Sequence, residues 1–514
     1  MSQQADYASV IEENAALKSE RDALKRQLAW FKKQVFGEKS ERRLLENDPD
    51  QLPLSGLVGE AVKSVPVEKE TITYERGKAK KKRGDDCVTD IGLRFDDTVP
   101  VEVIEVQAPE LAGPDADQYE VITTKSLHRL AQRPASLVVL RYDMPVVKRK
   151  GSNDIITTPA PAGVFDQSLA DVSFLVGMLI DKFMYHMPLY RQHQRLAHAG
   201  ITLSRATLTH LGKRSIELLR PIVEAQLRGI LRSKVLAMDE TPIKAGRSGK
   251  GKMKTGWFWP VYGDQDEMVF TYANTRAKSH IEKVLASHFE GTLISDGYVA
   301  YARYTEANEH VVHAQCWVHS RRQFIEAEDV EPGLVAIALQ YIRELHAVET
   351  QIKECDLSDD QKRAYRLDHS KPVVDAFFAW CEQQLTDASL LPDNPLIKAV
   401  GYVLKRQTEL RVFLEDPAVP LDTNHLERGL RPIPMGRRNW LFAWTELGAE
   451  HVGIIQSLIC TCRLQGVDPY TYLVDVLQRI SIHPAHDVES LTPRLWKQKY
   501  AEHPMRSDLY RDCQ

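Results

Sequence analysis

No run of eighteen or more apolar residues occurs anywhere in the 514-residue chain, so the sequence offers no candidate membrane-spanning helix. The opening residues, MSQQADYASVIEEN, lack the basic start and apolar stretch of a secretion signal. Cysteine is scarce: there are seven, odd in number and dispersed, with only Cys460 and Cys462 close together. That pattern points to reduced thiols in the cytoplasm rather than to a disulfide scaffold. A strong charge balance is also missing. The net charge of -4 excludes a uniformly basic nucleic-acid binder, but phosphate contacts depend on local patches. With 43% hydrophobic and 27% charged residues the composition is that of a folded protein, and the length calls for three or four domains.

Basic patches are present. Residues 76–83 (RGKAKKKR) form one; Lys244, Arg247, Lys250, Lys252 and Lys254 form a second; Arg428, Arg431, Arg437 and Arg438 form a third. The first, taken alone, reads more readily as a solvated face, whereas the other two flank carboxylates. Residues 8–45 contain no proline and no glycine before Gly37, and Val10, Leu17, Leu24 and Phe31 recur every seven residues. This spacing predicts a coiled-coil helix, with an amphipathic helix packed on its own protomer as the alternative. A basic linker (46–87) follows, then a small β-rich module (88–150), a Gly/Pro-containing linker (151–163) and a helical region (165–231). Within that region residues 189–199 are amphipathic, Gly200 suits a left-handed turn, and Ser204 suits an N-cap for a helix over 205–215. A helix-turn-helix would present Arg205, Lys213 and Arg214 to DNA; two packed helices of no special role are the plainer reading.

From residue 234 the pattern turns to strands. The apolar run 235–238 ends in Asp239, and 291–295 ends in Asp296; 256–262, 268–272 and 310–314 read as further strands, and 279–288 as a helix. An acid at the end of a buried strand lies at a sheet edge, where open sheets collect ligand-binding groups. Two such strands side by side would bring Asp239 and Asp296 within reach of one cation. A third acid, Glu427, falls in a helix over 423–432, and 446–465 reads as another helix. Bunched carboxylates repel one another unless a cation or protons intervene. Hard divalent ions such as Mg²⁺ prefer such oxygens, and a pair of them suits in-line phosphodiester displacement. Arg321 and Arg322 could serve phosphate or pair with acids such as Glu326, and Asn424 could orient a water or cap its helix. Trp440 and Phe442 read as core aromatics following a strand, or as a stacking wall near DNA.

Several stretches carry more than spacing. LKRQLAWFKKQVFGEKSERR (24–43), MPLYRQHQRLAHAGITLSRATL (187–208), AMDETP, SDGYVAY, CWVHSRRQF (316–324) and DTNHLERGLRPIPMGRRNWLFAWTELGAE (422–450) together resemble the insertion-sequence-66 family of bacterial transposases, members of the DDE superfamily. The resemblance runs over most of residues 10–480. It implies a ribonuclease-H-like catalytic domain (232–324 and 420–468) interrupted by an all-helical insertion (325–419), with a C-terminal helical tail (469–514). The chain as a whole is thus expected to be multidomain α+β. The resemblance also implies catalysis by Asp239, Asp296 and Glu427 holding two Mg²⁺ or Mn²⁺ ions. Strand cleavage by activated water would be followed by attack of the freed 3′-hydroxyl on target DNA. The DNA-contacting set would be Arg205, Lys213, Arg214, Lys244, Lys254, Arg321, Arg322, Arg428, Arg431, Arg437 and Arg438. Partners implied are double-stranded DNA, a second copy or a larger synaptic assembly, and small accessory proteins of the same element, with the chain at the nucleoid. The family's paired-cysteine module departs here: 84–150 holds only Cys87, with His128 the one nearby donor, so no structural zinc is expected. His313, Cys316 and His319 suggest a second metal site, against which stands ordinary packing.

Overall fold

The computed structural model describes residues 93–510, except 96–98, 134–135, 152, 167, 250–251, 286–288, 387–389 and 442, together with Arg21. The expected coiled-coil helix and basic linker therefore lie outside the described residues, Arg21 apart, as do Cys87 and Phe442.

Valine and isoleucine recur through the first strands, as a pleated surface favours. After the short β1 (Arg94–Phe95) come β2 (Val101–Glu105), β3 (Tyr119–Arg133), β4 (Ser136–Arg149) and β5 (Ile155–Thr157). β3 pairs antiparallel along the length of β4, while β2 runs parallel to the first half of β4 and β5 antiparallel to its second half. β5 falls inside the stretch read from sequence as linker: its three residues IIT find a ladder on Val146, Val147 and Lys148. The sheet does not close a large core of its own. Leu130 and Val139 join the main hydrophobic core, and Ala131, Val138, Leu140 and Tyr142 pack with Leu509 of the C-terminal tail. Tyr142 Oη also donates to Asp508 at 2.9 Å.

The helical region begins with α1 (Val172–Phe183), whose N-cap Asp171 accepts from Ser173 N–H at 2.8 Å. α2 (Leu189–His198) follows and ends at Gly200, with φ +77°. β6 (Ile201–Thr202) then pairs back onto β1. Ser204 accepts from Thr207 N–H at 3.0 Å and starts α3. That helix runs over Arg205–Ile230, far past the expected end at 215, with Pro221 inside it. An interior proline costs about 3 kcal/mol. The buried stripe Leu208, Leu211, Ile216, Leu219, Ile222, Val223 and Ile230 outweighs it.

The central sheet consists of β7 (Val235–Met238), β8 (Thr241–Gly249), β9 (Lys252–Gly263), β10 (Glu267–Ala273), β11 (Gly291–Ser295) and β12 (Val311–Gln315). The order is β10-β9-β7-β11-β12, with β8 paired to the first half of β9. β7, β11 and β12 are mutually parallel; β9 runs against them, and β10, antiparallel to β9, runs with them. β8 escapes a sequence reading because TPIKAGRSG carries proline, two glycines and two cations. Its alternating buried Thr241, Ile243 and Ala245 nonetheless face the core. α4 (Lys278–Leu285) links β10 to β11, α5 (Val299–Glu306) links β11 to β12, and α6 (Trp317–Ile325) leaves β12.

Five helices follow: α7 (Pro332–Glu354), α8 (Asp359–Tyr365), α9 (Lys371–Thr386), α10 (Pro395–Leu404) and α11 (Gln407–Glu415). Their shared core is aromatic: Trp317 packs on Phe377, Phe378 and Phe413, and its Nε1–H donates to Leu410 O at 2.9 Å. Arg366, fully buried, donates to Glu349 and to the carbonyls of Phe413, Asp416 and Val419, so it fixes the chain leaving α11. The chain then returns to the central sheet through α12 (Asn424–Leu430), α13 (Pro432–Trp440) and α14 (Glu446–Leu464), ending in α15 (Pro469–Arg479) and α16 (Pro493–Lys499). Trp440 closes a helix rather than following a strand. Among the described residues no helix is long and apolar enough to cross a membrane.

α14 covers the sheet edge formed by β10. An edge strand exposes N–H and C=O groups that must be satisfied when buried. Residues four apart on α14 do this: Ser457 Oγ accepts from Phe270 N–H at 2.8 Å and Thr461 Oγ1 from Met268 N–H at 3.0 Å. One turn earlier stands Gly453, where a Cβ would lie 2.6 Å from Phe270 O. Ser457→Ala leaves the Phe270 amide unpaired and is expected to lower stability by about 1–3 kcal/mol in urea unfolding. An unchanged midpoint would show that this edge is satisfied some other way.

Candidate active site

The parallel pairing of β7 and β11 places Ala237 beside Ile294. Two residues further on each strand come Asp239 and Asp296, so the register that aligns the apolar runs also sets the acids side by side. Asp239 accepts from Glu240 N–H at 2.7 Å, and Asp296 from Tyr298 N–H at 2.9 Å, which fixes both carboxylates at the strand ends. Asp239, Glu240 and Asp296 each bring an oxygen within 4.8 Å of the others.

Glu427 reaches the same cleft from α12. Several contacts hold this helix. Thr423 N–H and Oγ1–H both donate to Cys316 Sγ at 3.3 Å, and Trp317 N–H donates to Leu421 O at 3.1 Å, which ties the start of α12 to the end of β12. Further along, the His425 ring lies 4.4 Å from Tyr262 of β9. The cleft, of about 370 Å³, is lined by Asp239, Glu240, Arg276, Asp296, His319, Arg322, Glu427, Leu430, Arg431 and Pro434. It borders a groove of about 1260 Å³ that shares Glu427 and Arg431 and runs beside α7 and α8.

The electrostatics are those of an under-neutralised acid cluster. Burial, then repulsion from Asp296, Glu240 and Glu427, raises Asp239 to about 7 against the hydrogen bond from Glu240. Burial and Asp296 likewise raise Glu240, opposed by Arg276 and Tyr301. Burial lowers His319, so this ring is neutral at physiological pH although Asp296 and Glu427 pull the other way. Glu427 Oε1 is buried and accepts no hydrogen bond; His319 Nε2 and Arg322 Nη2 approach it only to 3.7 Å. A desolvated carboxylate oxygen without a donor is costly. An orphaned oxygen beside two strand-end aspartates is the donor set that a hard divalent cation fits.

His313, Cys316 and His319, weighed in the sequence as a second metal set against ordinary packing, are not brought together as one. His313 Nε2 bonds Ser295 Oγ at 2.9 Å, the Cys316 thiol is buried under Thr423, and only His319 faces the cleft. Asn424 bonds Asp422 at 2.7 Å, at the start of its helix. Of the basic residues singled out in the sequence, Arg322 and Arg431 line the cleft, Arg428 lines the adjoining groove, and Arg321 and Arg438 are exposed. Arg437 is half-buried and donates to Pro242 O, holding α13 to β8. Lys244 donates to Thr255 Oγ1 at 2.7 Å and Lys254 pairs with Glu446 at 3.0 Å, both on the β8–β9 hairpin. Arg205, Lys213 and Arg214 are exposed on the first half of α3, with Arg214 stacked 4.1 Å over Phe165. Sequence reasoning passed over Glu240, Arg276 and Tyr301. The acidic doublet DE at 239–240 was one available signal, and Tyr301 stands in the SDGYVAY stretch that follows strand-end Asp296, whereas nothing around Arg276 marks it.

Comparison with known proteins agrees with this architecture. The profile of the Transposase IS66 family matches residues 167–451, spanning the paired strands, the helical segment and the glutamate helix. Two further profiles, the IS66 C-terminal element and the Transposase C of IS166 homeodomain, match residues 457–494 and 23–104. The chain belongs to the IS66 family of transposases. Among its relatives is the uncharacterized protein y4hP of Sinorhizobium fredii, 32% identical over 373 residues, covering 68% of this chain and 66% of the relative. The uncharacterized protein y4jD of the same organism is 31% identical over 397 residues, covering 72% and 77%.

Because the folded chain holds the Asp239 proton more tightly than the unfolded chain, this group lowers stability as pH rises from about 4 to about 7. With a chelator present, Asp239→Asn is expected to exceed the parent in stability by roughly 2–4 kcal/mol at pH 8 and to match it below pH 4. A difference that does not change with pH in urea unfolding would contradict this assignment.

Proposed function

We propose that the chain is a metal-dependent DNA transposase that cuts the ends of its own mobile element and joins them to target DNA. The observation that carries this reading is the convergence of Asp239, Asp296 and the unpartnered Glu427 oxygen on one cleft. The strand order supports a ribonuclease-H-like core. Numbered along the chain without β8, it reads third, second, first, fourth, fifth, with the last two parallel to the first. Residues 325–419, which carry helices joined by turns and no strand where they are described, then act as an insertion before the glutamate helix.

Asp239, Asp296 and Glu427 would hold Mg²⁺ or Mn²⁺, two ions in the full reaction. Bound divalent cations supply the Lewis acidity that in-line phosphodiester displacement needs. The protein's own part is positional. The strand ends hold the two aspartates fixed, α12 brings the glutamate across, and burial keeps bulk water from screening them. Arg322, Arg428 and Arg431 line the route by which a phosphate backbone would enter, and the neutral His319 ring adds a donor or acceptor without adding charge. In cleavage a water oxygen attacks phosphorus and a 3′-hydroxyl departs. In joining that hydroxyl attacks a target phosphodiester and displaces a new 3′-oxygen, so bonds are exchanged without a nucleotide cofactor.

α2 and α3, with the left-handed Gly200 between them and Arg205, Lys213 and Arg214 exposed, suit recognition of the element ends. Lys244, Lys254, Arg321 and Arg438 extend the basic surface, whereas Arg437 serves the fold first. Joining two ends calls for at least two copies of the chain, and accessory proteins of the same element belong to this reading.

With pre-cut labelled ends and a supercoiled plasmid, Asp296→Ala and Glu427→Ala are each expected to reduce joining by roughly a thousandfold. That corresponds to about 4 kcal/mol of lost transition-state stabilisation. Retained joining in either variant would overturn the proposal. Cleavage that persists without joining would favour a nuclease of the same fold.

A further inference from the structure

Two acids near the strand ends compete for the role of third ligand, and their surroundings differ. Glu240 has a side chain with 0% exposure and both oxygens committed. Its Oε1 accepts from Arg276 through Nε at 2.8 Å and through Nη2, and its Oε2 accepts from the fully buried Tyr301 hydroxyl at 2.8 Å. Glu427 Oε1 accepts nothing. A carboxylate already satisfied by a guanidinium and a phenol gains little from a cation, whereas an orphaned one gains much.

Arg276 itself is held from several sides. Its guanidinium lies 4.0 Å from the Tyr298 ring centroid and 4.9 Å from that of Trp257, and the Tyr298 hydroxyl donates to its backbone carbonyl. The side chain is still 40% exposed, and it lines the cleft that contains the three acids. Among the described residues nothing bonds Nη1. A planar cation with one edge fixed, its faces packed on aromatic rings and its side chain on the lining of a cleft is pre-ordered for an oxyanion. In a cleft otherwise dominated by carboxylates, the oxyanion with reason to enter is the phosphate of a DNA strand.

We propose that Arg276, oriented by Glu240, binds a DNA phosphate beside the three acids, and that Glu240 is its anchor rather than a metal ligand. This rests on the DNA-processing reading of the cleft and adds a substrate contact to it. It also divides the acid pair by role: Asp239 serves the cation, while the oxygens of its neighbour Glu240 are taken up by Arg276 and Tyr301.

The test uses the full-length chain and two probes, Mn²⁺ followed by electron paramagnetic resonance and a fluorescein-labelled DNA duplex titrated across a salt series. Glu240→Gln is expected to retain Mn²⁺ affinity, whereas Glu427→Gln loses roughly tenfold or more. Arg276→Ala is expected to leave Mn²⁺ affinity unchanged, weaken DNA binding roughly tenfold, and reduce the slope of log affinity against log salt by about 1. Arg276→Lys restores the slope but only part of the affinity. Because Arg276→Ala strands a buried acid, the double variant Arg276→Ala/Glu240→Gln is measured beside it and should show the same loss of slope. Mn²⁺ affinity lost in Glu240→Gln as in Glu427→Gln, or an unchanged salt slope in both arginine-to-alanine variants, overturns the inference. The DNA series is repeated with a chelator, so it reads Arg276 even if the parent chain binds no Mn²⁺. That last result would instead defeat the metal-dependent function.

Discussion

Two carboxylates set side by side at the ends of adjacent parallel strands repel each other, and much of the surrounding structure is arranged so that they remain there. The register of β7 on β11 leaves no choice: once Ala237 lies beside Ile294, the next residues but one are Asp239 and Asp296. Both runs are buried in this register, and the acid pair follows directly at their ends. Main-chain N–H groups of Glu240 and Tyr298 accept part of the electrostatic load, and Arg276 neutralises the neighbouring Glu240. What is left over is an acid cluster with a raised Asp239 and an oxygen on Glu427 that nothing in the protein satisfies.

The third acid depends on a longer chain of contacts. Between Asp296 and Glu427 the polypeptide makes an excursion through five helices, and it must come back with the glutamate aimed correctly. Arg366 anchors the departing chain by three carbonyls, and Cys316 and Trp317 bind the residues just before α12. The excursion also touches the site directly: Arg406, packed on Tyr402, donates to Gly297 O at 2.9 Å in the turn after Asp296. A Cβ at residue 297 would lie 2.3 Å from the Tyr402 hydroxyl, which accounts for glycine there. The helical segment therefore braces the turn after Asp296 and lines the groove that adjoins the cleft.

Much of this was legible in the sequence, for identifiable reasons. β7 and β11 are short, wholly apolar runs ending in an acid, and their bounds can be read directly from the residues. The Gly200 turn and Ser204 cap follow from local backbone chemistry. What escaped depended on partners distant in sequence. β8 looks like a basic loop until β9 pairs with it, and β5 looks like a linker until β4 does. α3 runs through Pro221 because of the core beneath it. Glu240 looks like a spare carboxylate until Arg276, thirty-six residues away, and Tyr301 are seen to occupy both its oxygens. Arg437 read as a DNA contact, yet its first partner is the Pro242 carbonyl.

Asp239, Asp296 and Glu427 are proposed to share a divalent cation. Anomalous diffraction from crystals soaked in Mn²⁺ tests it most directly. A manganese peak coordinated by oxygens of those three residues, with Glu240 still bonded to Arg276 and Tyr301, is the expected result. A peak held by Glu240 in place of Glu427, or no peak in the cleft at saturating Mn²⁺, would contradict it.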